Sequence, residues 1–146
     1  MKLTLKWPAI IAGLVALSFG MMLLIKSPAL GLSEASFCGQ CHAMDEQVNT
    51  YLHSSHANVT NCGDCHSPDN LVIGSIHSAY TGARDVYRVV TNTTPPVITA
   101  TDLTRDILQD NCIRCHGEII GNIGDTSQNG GTNCFECHQS IVHPKK

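Results

Sequence analysis

The sequence predicts a mainly α-helical chain with much loop, in which one N-terminal transmembrane helix precedes a single compact domain. Three observations support this prediction: a long uncharged run near the N-terminus, an aromatic content of only 5%, and eight cysteines among 146 residues. A chain of this length holds one small domain, which excludes Rossmann enzymes and barrels. With so few aromatic residues its own side chains would bury little, so we expect the cysteines to anchor groups that complete the core.

The N-terminal segment has the pattern of a membrane anchor. An uncharged run of 19 residues separates Lys6 from Lys26. As a helix it would be about 28 Å long, which matches the hydrocarbon thickness of a bilayer. Two lysines precede the run, so the N-terminus is expected to be cytoplasmic. We therefore predict an anchor over residues 1–26 in the cytoplasmic (inner) membrane and a periplasmic domain over residues 27–146. The alternative is a cleaved signal peptide ending near Ser27, which would export the same domain.

All eight cysteines belong to four copies of one pattern, Cys-x-x-Cys-His. The cysteines are Cys38, Cys41, Cys62, Cys65, Cys112, Cys115, Cys134 and Cys137, and the histidines that follow them are His42, His66, His116 and His138. This pattern is typical of c-type haem, because two sulfurs bind the vinyl groups of one porphyrin and the adjacent imidazole reaches the iron. Disulfides require no histidine at this position, and zinc sites would leave the regular histidines unexplained. The sequence therefore predicts four covalently bound haems c, which take the place of the missing core.

The four motifs are arranged as two pairs. The starting cysteines of the first two motifs are 24 residues apart and those of the last two are 22 apart, which indicates two di-haem units. Between the pairs, apolar residues recur every three or four positions over residues 71–90. They predict an amphipathic helix that packs on a haem or lies on the membrane surface. A linker is predicted at residues 91–96 and a surface loop at residues 117–132, with short helices and loops elsewhere.

The remaining histidines are candidates for the second axial positions of the haem irons. They are His53, His56, His77 and His143, so eight histidines could ligate four irons in pairs. Met44 offers another ligand, because it lies two residues after His42 and a thioether sulfur is an axial ligand that raises the reduction potential of haem. Packing of Met44 on the porphyrin is the alternative role. The residues alone leave both arrangements open.

Several stretches of the sequence resemble one known family. They are the first motif with Met44, residues 56–58 (His-Ala-Asn), residues 82–87 (Gly-Ala-Arg-Asp-Val-Tyr) and residues 140–143. Together with the predicted anchor they resemble the NapC/NrfH family of membrane-anchored multihaem quinol dehydrogenases. The resemblance is greatest to its short tetrahaem branch, the small subunits of cytochrome c nitrite reductase complexes, and it covers the anchor and nearly all of the exported domain.

The resemblance implies a ligand set for each haem. Met44 would bind the first iron, with His42 displaced from it and Asp85 near the open face that meets the quinol. The other implied sets are His66 with His143 on the second haem, His116 with a ligand from a partner protein or from elsewhere in the chain on the third, and His138 with His56 on the fourth. His53 and His77 would then be spare.

The quinol site that the resemblance implies contains one departure from the family pattern. The family often has a lysine seven residues before the position of Asp85, whereas this chain has Ser78, next to His77. Since quinol oxidation releases two protons, Asp85 is the first candidate for their acceptor and His77 is a substitute. Arg84 completes the set of candidate site residues, and an ion pair between Asp85 and a neighbouring arginine is the structural alternative.

The resemblance also implies a function. The chain would oxidise quinol, menaquinol in particular, and pass electrons to a periplasmic multihaem reductase, with ammonia-forming nitrite reductase ahead of a nitrate reductase or a hydroxylamine-oxidoreductase-like enzyme. A passive anchored relay without its own quinol site is the alternative, and few distal groups remain for a terminal reductase. Residues 27–146 carry six Lys and Arg against twelve Asp and Glu, a net charge of −6, which excludes a nucleic-acid-binding role.

Overall fold

The computed structural model describes residues 6–24, 31–120 and 131–144. These residues form seven α-helices: α1 (Lys6–Leu24), α2 (Ala35–Cys38), α3 (Asp45–Leu52), α4 (Cys62–His66), α5 (Leu71–Val90), α6 (Asp102–Ile120) and α7 (Cys134–Cys137). A single 3-10 turn, His42–Met44, precedes α3, and no β-strand occurs within the described residues. The prediction of a mainly helical chain is therefore confirmed.

α1 occupies most of the predicted anchor segment. The side chains of residues 7–21 are all exposed, and the helix lies against α5. No helix in the described part of the chain is long and apolar enough to cross a membrane. Residues 1–5 and 25–26 of the predicted anchor lie outside the described residues, as does the alternative cleavage site near Ser27. The membrane anchor therefore stays a prediction.

α5 is the helix that the apolar spacing predicts, and it has the predicted bounds, Leu71–Val90. It begins where the Asn70 side chain accepts hydrogen bonds from the backbone N–H groups of Val72 and Ile73, both at 3.0 Å. It ends before the predicted linker, in which Asn92 takes the left-handed φ of 55° that asparagine tolerates. Both ends of the helix thus have local causes in the sequence.

The buried side of α5 is not its apolar side. Gly74 and Ser75 are the buried residues of the helix, so the described chain packs against its small residues. The apolar residues that predicted the helix, which include Ile73, Ile76, Tyr80, Tyr87 and Val90, are 50–79% exposed. The described protein therefore leaves this apolar face uncovered, as contact with a haem or with the membrane surface would require.

α6 is a helix of 19 residues where the sequence predicts only short helices and loops. It runs through the third motif and continues over residues 117–120, so the prediction of a loop there is wrong. Residues 121–130 of that predicted loop lie outside the described residues. The helix lacks an apolar stripe because its buried residues are two amides, Gln109 and Asn111. Such a helix cannot be recognised from hydrophobic periodicity.

Side chains alone form only a small core, as the low aromatic content predicts. Tyr51 is the one buried hydrophobic residue among those described, and its hydroxyl lies within hydrogen-bond distance of the carbonyl oxygens of Ala57 and Thr60. α6 lies against both α4 and α7, which bear the second and fourth motifs. The helix that carries the third motif is therefore the one that joins the second and fourth motifs.

Candidate haem and electron-transfer sites

Each Cys-x-x-Cys-His motif lies in or beside a helical turn. The second motif forms α4, the third lies within α6, the fourth begins α7, and the first extends from the end of α2 into the 3-10 turn. Residues three apart share a face of an α-helix, so both sulfurs of a motif in α4, α6 or α7 point to the same side. All eight cysteines are free thiols. This donor set fits two thioether bonds at each motif, as covalently bound haem requires.

The first and second motifs meet through their leading cysteines. A hydrogen bond with the Cys62 thiol lowers the pKa of the Cys38 thiol to about 7, against the opposing effect of burial. The N–H of Gly63 donates to the carbonyl of Ser33 at 3.2 Å, and a Cβ at Gly63 would lie 2.6 Å from the Ser33 Cβ. Gly63 has no Cβ, so the segment before the first motif can approach the second motif closely.

The second, third and fourth motifs are likewise neighbours. Burial raises the pKa of Cys65, and the charges of Asp64 and Cys115 add to this effect. Burial also raises the pKa of Cys112 to about 11, with a contribution from the nearby Cys134 thiol. Charge effects of this kind require proximity. The four motifs therefore follow one another in space in the order that they have in the sequence.

The imidazoles of His66 and His143 are neighbours at a spacing that an iron bound to both would give. Their ring centroids are 6.2 Å apart and their planes are inclined by 35°. An iron bonded at about 2 Å to one nitrogen of each ring would separate the centroids by roughly 6 Å. Burial lowers the pKa of His66 to about 4, assisted by the nearby His143, whose pKa burial also lowers. Both rings are therefore neutral near pH 7 and keep the lone pair that a metal needs.

A second pair of imidazoles has the same separation. The rings of His56 and His116 lie 6.1 Å apart with their planes inclined by 71°, and the buried Nδ1 of His56 has no hydrogen-bond partner among the described residues. The resemblance implied that His56 serves the fourth haem, opposite His138. The structure instead brings His56 to the third motif. Within the described chain no second ring faces His138, and which histidines share a haem stays a prediction.

The histidine of the first motif is exposed, as are His116 and His138, whereas His66 is half-buried. The His42 side chain is fully exposed, with Nδ1 3.3 Å from the Asp45 carboxylate, whereas Met44 is half-buried. Of the other unassigned histidines, His53 is exposed and its Nδ1 lies 2.8 Å from the carbonyl oxygen of Asn49. The role of Met44 as the ligand of the first haem stays a prediction.

The candidate quinol-site residues are divided between two motifs. The exposed carboxylate of Asp85 forms an ion pair with Arg84 at 3.1 Å and lies close enough to the first motif for its charge to act on Cys38. The Ser78 hydroxyl is instead 2.9 Å from the hydroxyl of Ser67, directly after the second motif. His77 similarly lies near enough to His66 to affect its pKa, after the larger effects of burial and His143. Seven residues of α5 separate Ser78 from Asp85, which is a distance of roughly 10 Å along the helix axis.

Two buried amides on α6, which sequence reasoning missed as functional residues, join the third motif to its neighbours. The Gln109 Oε1 accepts a hydrogen bond from the backbone N–H of Cys134 at 2.8 Å. The Asn111 Nδ2 donates to the carbonyl oxygens of Cys65 and Ser67, both at 2.9 Å. The signal in the sequence was an asparagine directly before three of the four motifs. The asparagines at these positions do not share one role. Asn61, before the second motif, caps α4 by accepting a hydrogen bond from the backbone N–H of Asp64.

Two arginines of α6 strengthen the same connections at the surface. Arg105 forms an ion pair with Glu136 of the fourth motif at 2.9 Å and lies over the Phe135 ring, 5.4 Å from its centroid. Arg114 donates to the carbonyl oxygen of Asp64 within the second motif and to the Asp69 carboxylate, both at 3.0 Å. Both pairs are partly exposed, so we expect each to add little stability and to restrict the orientation of the motifs.

Replacing Asn111 by Leu is expected to lower the free energy of unfolding of the haem-loaded protein by about 2–4 kcal/mol, because two buried carbonyl oxygens lose their donor. Denaturant unfolding followed by haem absorbance measures the change. Gln139→Leu is the matched control, since this exposed amide donates to one carbonyl oxygen, that of Glu136, at 2.7 Å. The control should change the free energy by less than about 0.5 kcal/mol. Equal losses in the two variants would contradict the role of Asn111.

The chain is similar in sequence and in structure to known cytochromes. The model of the NapC/NirT cytochrome c family, N-terminal region, matches residues 2–100. Over 133 residues the chain is 32% identical to the cytochrome c nitrite reductase subunit NrfH of Nitratidesulfovibrio vulgaris, covering 91% of this chain and 77% of that protein. It also matches a chain in the crystal structure of a cytochrome c nitrite reductase NrfHA complex bound to the HQNO inhibitor, with a TM-score of 0.68 and 30% identity over 98% of this chain and 91% of that one. Its cofactor is covalently bound haem c, and the chain belongs to the NapC/NirT cytochrome c family.

Proposed function

We propose that the chain is a membrane-anchored tetrahaem cytochrome c that oxidises menaquinol and passes the electrons to a periplasmic multihaem nitrite reductase. The observation that carries this proposal is the linear order of the four motifs, with the Asp85 carboxylate near the first and the unopposed imidazole of His138 at the last. Similarity to a nitrite reductase subunit and to a chain of an NrfHA complex supports the same kind of partner.

Bound haem c would supply one-electron transfer, and the chain's residues hold it. The proposed axial ligands are Met44 at the first motif, His66 with His143 at the second, His116 with His56 at the third and His138 at the fourth. The centroid separations of 6.2 and 6.1 Å support the two histidine pairs. In this proposal the first and fourth haems, at the two ends of the series, lack the pair of histidine ligands that the second and third have. Electrons are taken up at the first haem and released at the fourth.

Asp85 is the proposed acceptor of a proton when quinol is oxidised beside the first motif. Oxidation of one quinol to quinone releases two electrons, which pass singly into the haem series, and two protons, which need a base. The ion pair with Arg84 keeps the Asp85 carboxylate beside the first motif. Ser78 and His77 lie nearer the second motif, so they are proposed as residues along the path of protons from Asp85 to solvent.

The fourth motif is the proposed site of electron release. An open surface depression of about 420 Å³ is lined by residues 137–141, which include the exposed His138. Since no ring of the described chain faces His138, we propose that the reductase covers this site and supplies the second ligand of the fourth iron. A ligand from the partner would also bring the haems of the two proteins into contact distance.

The proposed location is the periplasmic face of the cytoplasmic membrane, with residues 1–26 as the anchor. The exposed apolar side chains of α1 and the exposed apolar face of α5 support it, because the two helices are in contact. Asp85 is part of α5, so a domain that rests on the membrane through α5 would hold Asp85 within reach of quinol in the lipid.

Reconstitution tests the proposal directly. The purified full chain is placed in liposomes that contain a menaquinol analogue, and the haem absorbance should shift to the reduced form. Since the matched NrfHA complex is bound to the HQNO inhibitor, we expect HQNO to slow this reduction. Haems that stay oxidised would contradict the quinol role and favour the passive relay, whose reduction requires another cytochrome.

A further inference from the structure

The His143 ring is held by a residue that is 93 positions earlier in the chain. Thr50, on α3, places its Oγ1 2.9 Å from the Nδ1 of His143. The same oxygen lies 2.9 Å from the carbonyl oxygen of Glu46 and 3.1 Å from that of Gln47. Thr50 and His143 are both half-buried, so the contact is partly shielded from water.

The three distances determine where the protons are. The Thr50 hydroxyl has one proton, and a carbonyl oxygen can only accept a hydrogen bond. If that proton pointed to His143, the hydroxyl oxygen would face two carbonyl oxygens with no proton between them. The hydroxyl therefore donates to the backbone of α3, and its lone pair accepts from His143. It follows that the Nδ1 of His143 carries the proton and that Nε2 has the free lone pair.

We propose that Thr50 is a positioning residue, which holds His143 in the tautomer and orientation that direct Nε2 toward the iron opposite His66. This inference rests on the proposed ligand pair at the second motif. A ligating histidine usually donates its second N–H to an acceptor, which orients the ring and raises the basicity of the ligand. A more basic ligand favours the oxidised iron, so Thr50 should lower the reduction potential of the second haem.

The two histidine pairs differ in this respect. The Nδ1 of His143 has an acceptor, whereas the Nδ1 of His56 has none among the described residues. With the other influences equal, the haem between His66 and His143 should have the lower potential of the two. Electrons would then pass energetically downhill from the second haem to the third.

Thr50→Val tests the inference, because valine keeps the shape of threonine and lacks the acceptor. In the haem-loaded full chain we expect the reduction potential of one haem to rise in a spectroelectrochemical titration. We also expect added imidazole to displace the loosened ligand at about ten-fold lower concentration. Thr50→Ser keeps the hydroxyl and should behave as the unaltered protein.

Thr81→Val is the matched control. The Thr81 hydroxyl also donates to its own helix, to the carbonyl oxygen of His77 at 2.9 Å, and no histidine nitrogen among the described residues is bonded to it. Thr81→Val should change neither the reduction potentials of the haems nor the concentration of imidazole that displaces a ligand. If Thr50→Val is poorly accommodated, Thr50→Ala removes the same acceptor without adding a methyl group to the site.

His143→Ala separates a failure of this inference from a failure of the ligand pair. If it converts one haem to a high-spin form while Thr50→Val and Thr50→Ala leave potentials and imidazole response unchanged, the pair is sound and the role of Thr50 is overturned. If His143→Ala leaves the number of low-spin haems unchanged, the ligand pair itself is wrong. A raised potential in Thr50→Val that Thr50→Ser restores supports the inference.

Discussion

Replacing Asp85 by Asn should lower the rate of quinol oxidation about 100-fold, the size of effect expected when a positioned proton acceptor is lost. The amide has nearly the same shape and can still bond to Arg84, so the helix and the haem content should be unchanged. The initial rate of haem reduction by a menaquinol analogue in liposomes measures the effect. Reduction by dithionite, which needs no proton acceptor, should proceed at the normal rate.

Asp69→Asn is the control for this experiment. Asp69 is also exposed and also forms an ion pair with an arginine, Arg114, at 3.0 Å, but it follows the second motif. This variant should oxidise quinol at a rate close to that of the unaltered protein. If Asp85→Asn is no slower than Asp69→Asn, the chain has no quinol site at Asp85 and the passive relay is favoured.

His56→Ala should have the second large effect, because it removes a proposed ligand from the third haem. About one in four of the haem irons should change from low-spin to five-coordinate high-spin, which electron paramagnetic resonance and the near-infrared charge-transfer band detect. Electron flow from quinol to the reductase should fall about ten-fold or more, since the altered haem lies in the middle of the series.

His53→Ala is the matched change three residues earlier. His53 is exposed, and its ring faces the Asn49 carbonyl oxygen and no other imidazole among the described residues. Its removal should leave the spectrum unaltered. A spectral change in His53→Ala, or none in His56→Ala, would overturn the pairing of His56 with His116.

The haem-attachment motifs and helix α5 could be predicted from the sequence because their causes are local. A Cys-x-x-Cys-His motif contains its own sulfurs and imidazole within five residues, so spacing alone indicates haem. α5 has a capping asparagine at Asn70, apolar residues at helical spacing, and a linker with Pro95 after its end. Each of these signals acts over a few residues, and a sequence displays such signals directly.

α6 and the contact between His56 and His116 were beyond prediction because they depend on distant contacts, whereas the contact between His66 and His143 is the one that the resemblance implied. Gln109 and Asn111 are buried as amides that bond to other motifs, and such residues look like surface residues when the sequence is read alone. His56 lies 60 positions before His116, and the turn between α3 and α4 decides which motif it meets. The resemblance implied a ligand role for His56 opposite His138, whereas the fold places its ring beside that of His116.

α6 has a further consequence for the kinetics of the haem series. Gln109 bonds to the fourth motif and Asn111 bonds to the second. The two residues are two positions apart, so these contacts start roughly 3 Å apart along the axis of α6. Electron tunnelling slows exponentially as the gap between donor and acceptor widens, and a shared helical support suppresses changes in that gap. Conduction between the second and third motifs should then be nearly independent of whether a reductase is docked at the fourth motif, which would leave turnover to be governed by the steps at the two ends of the series.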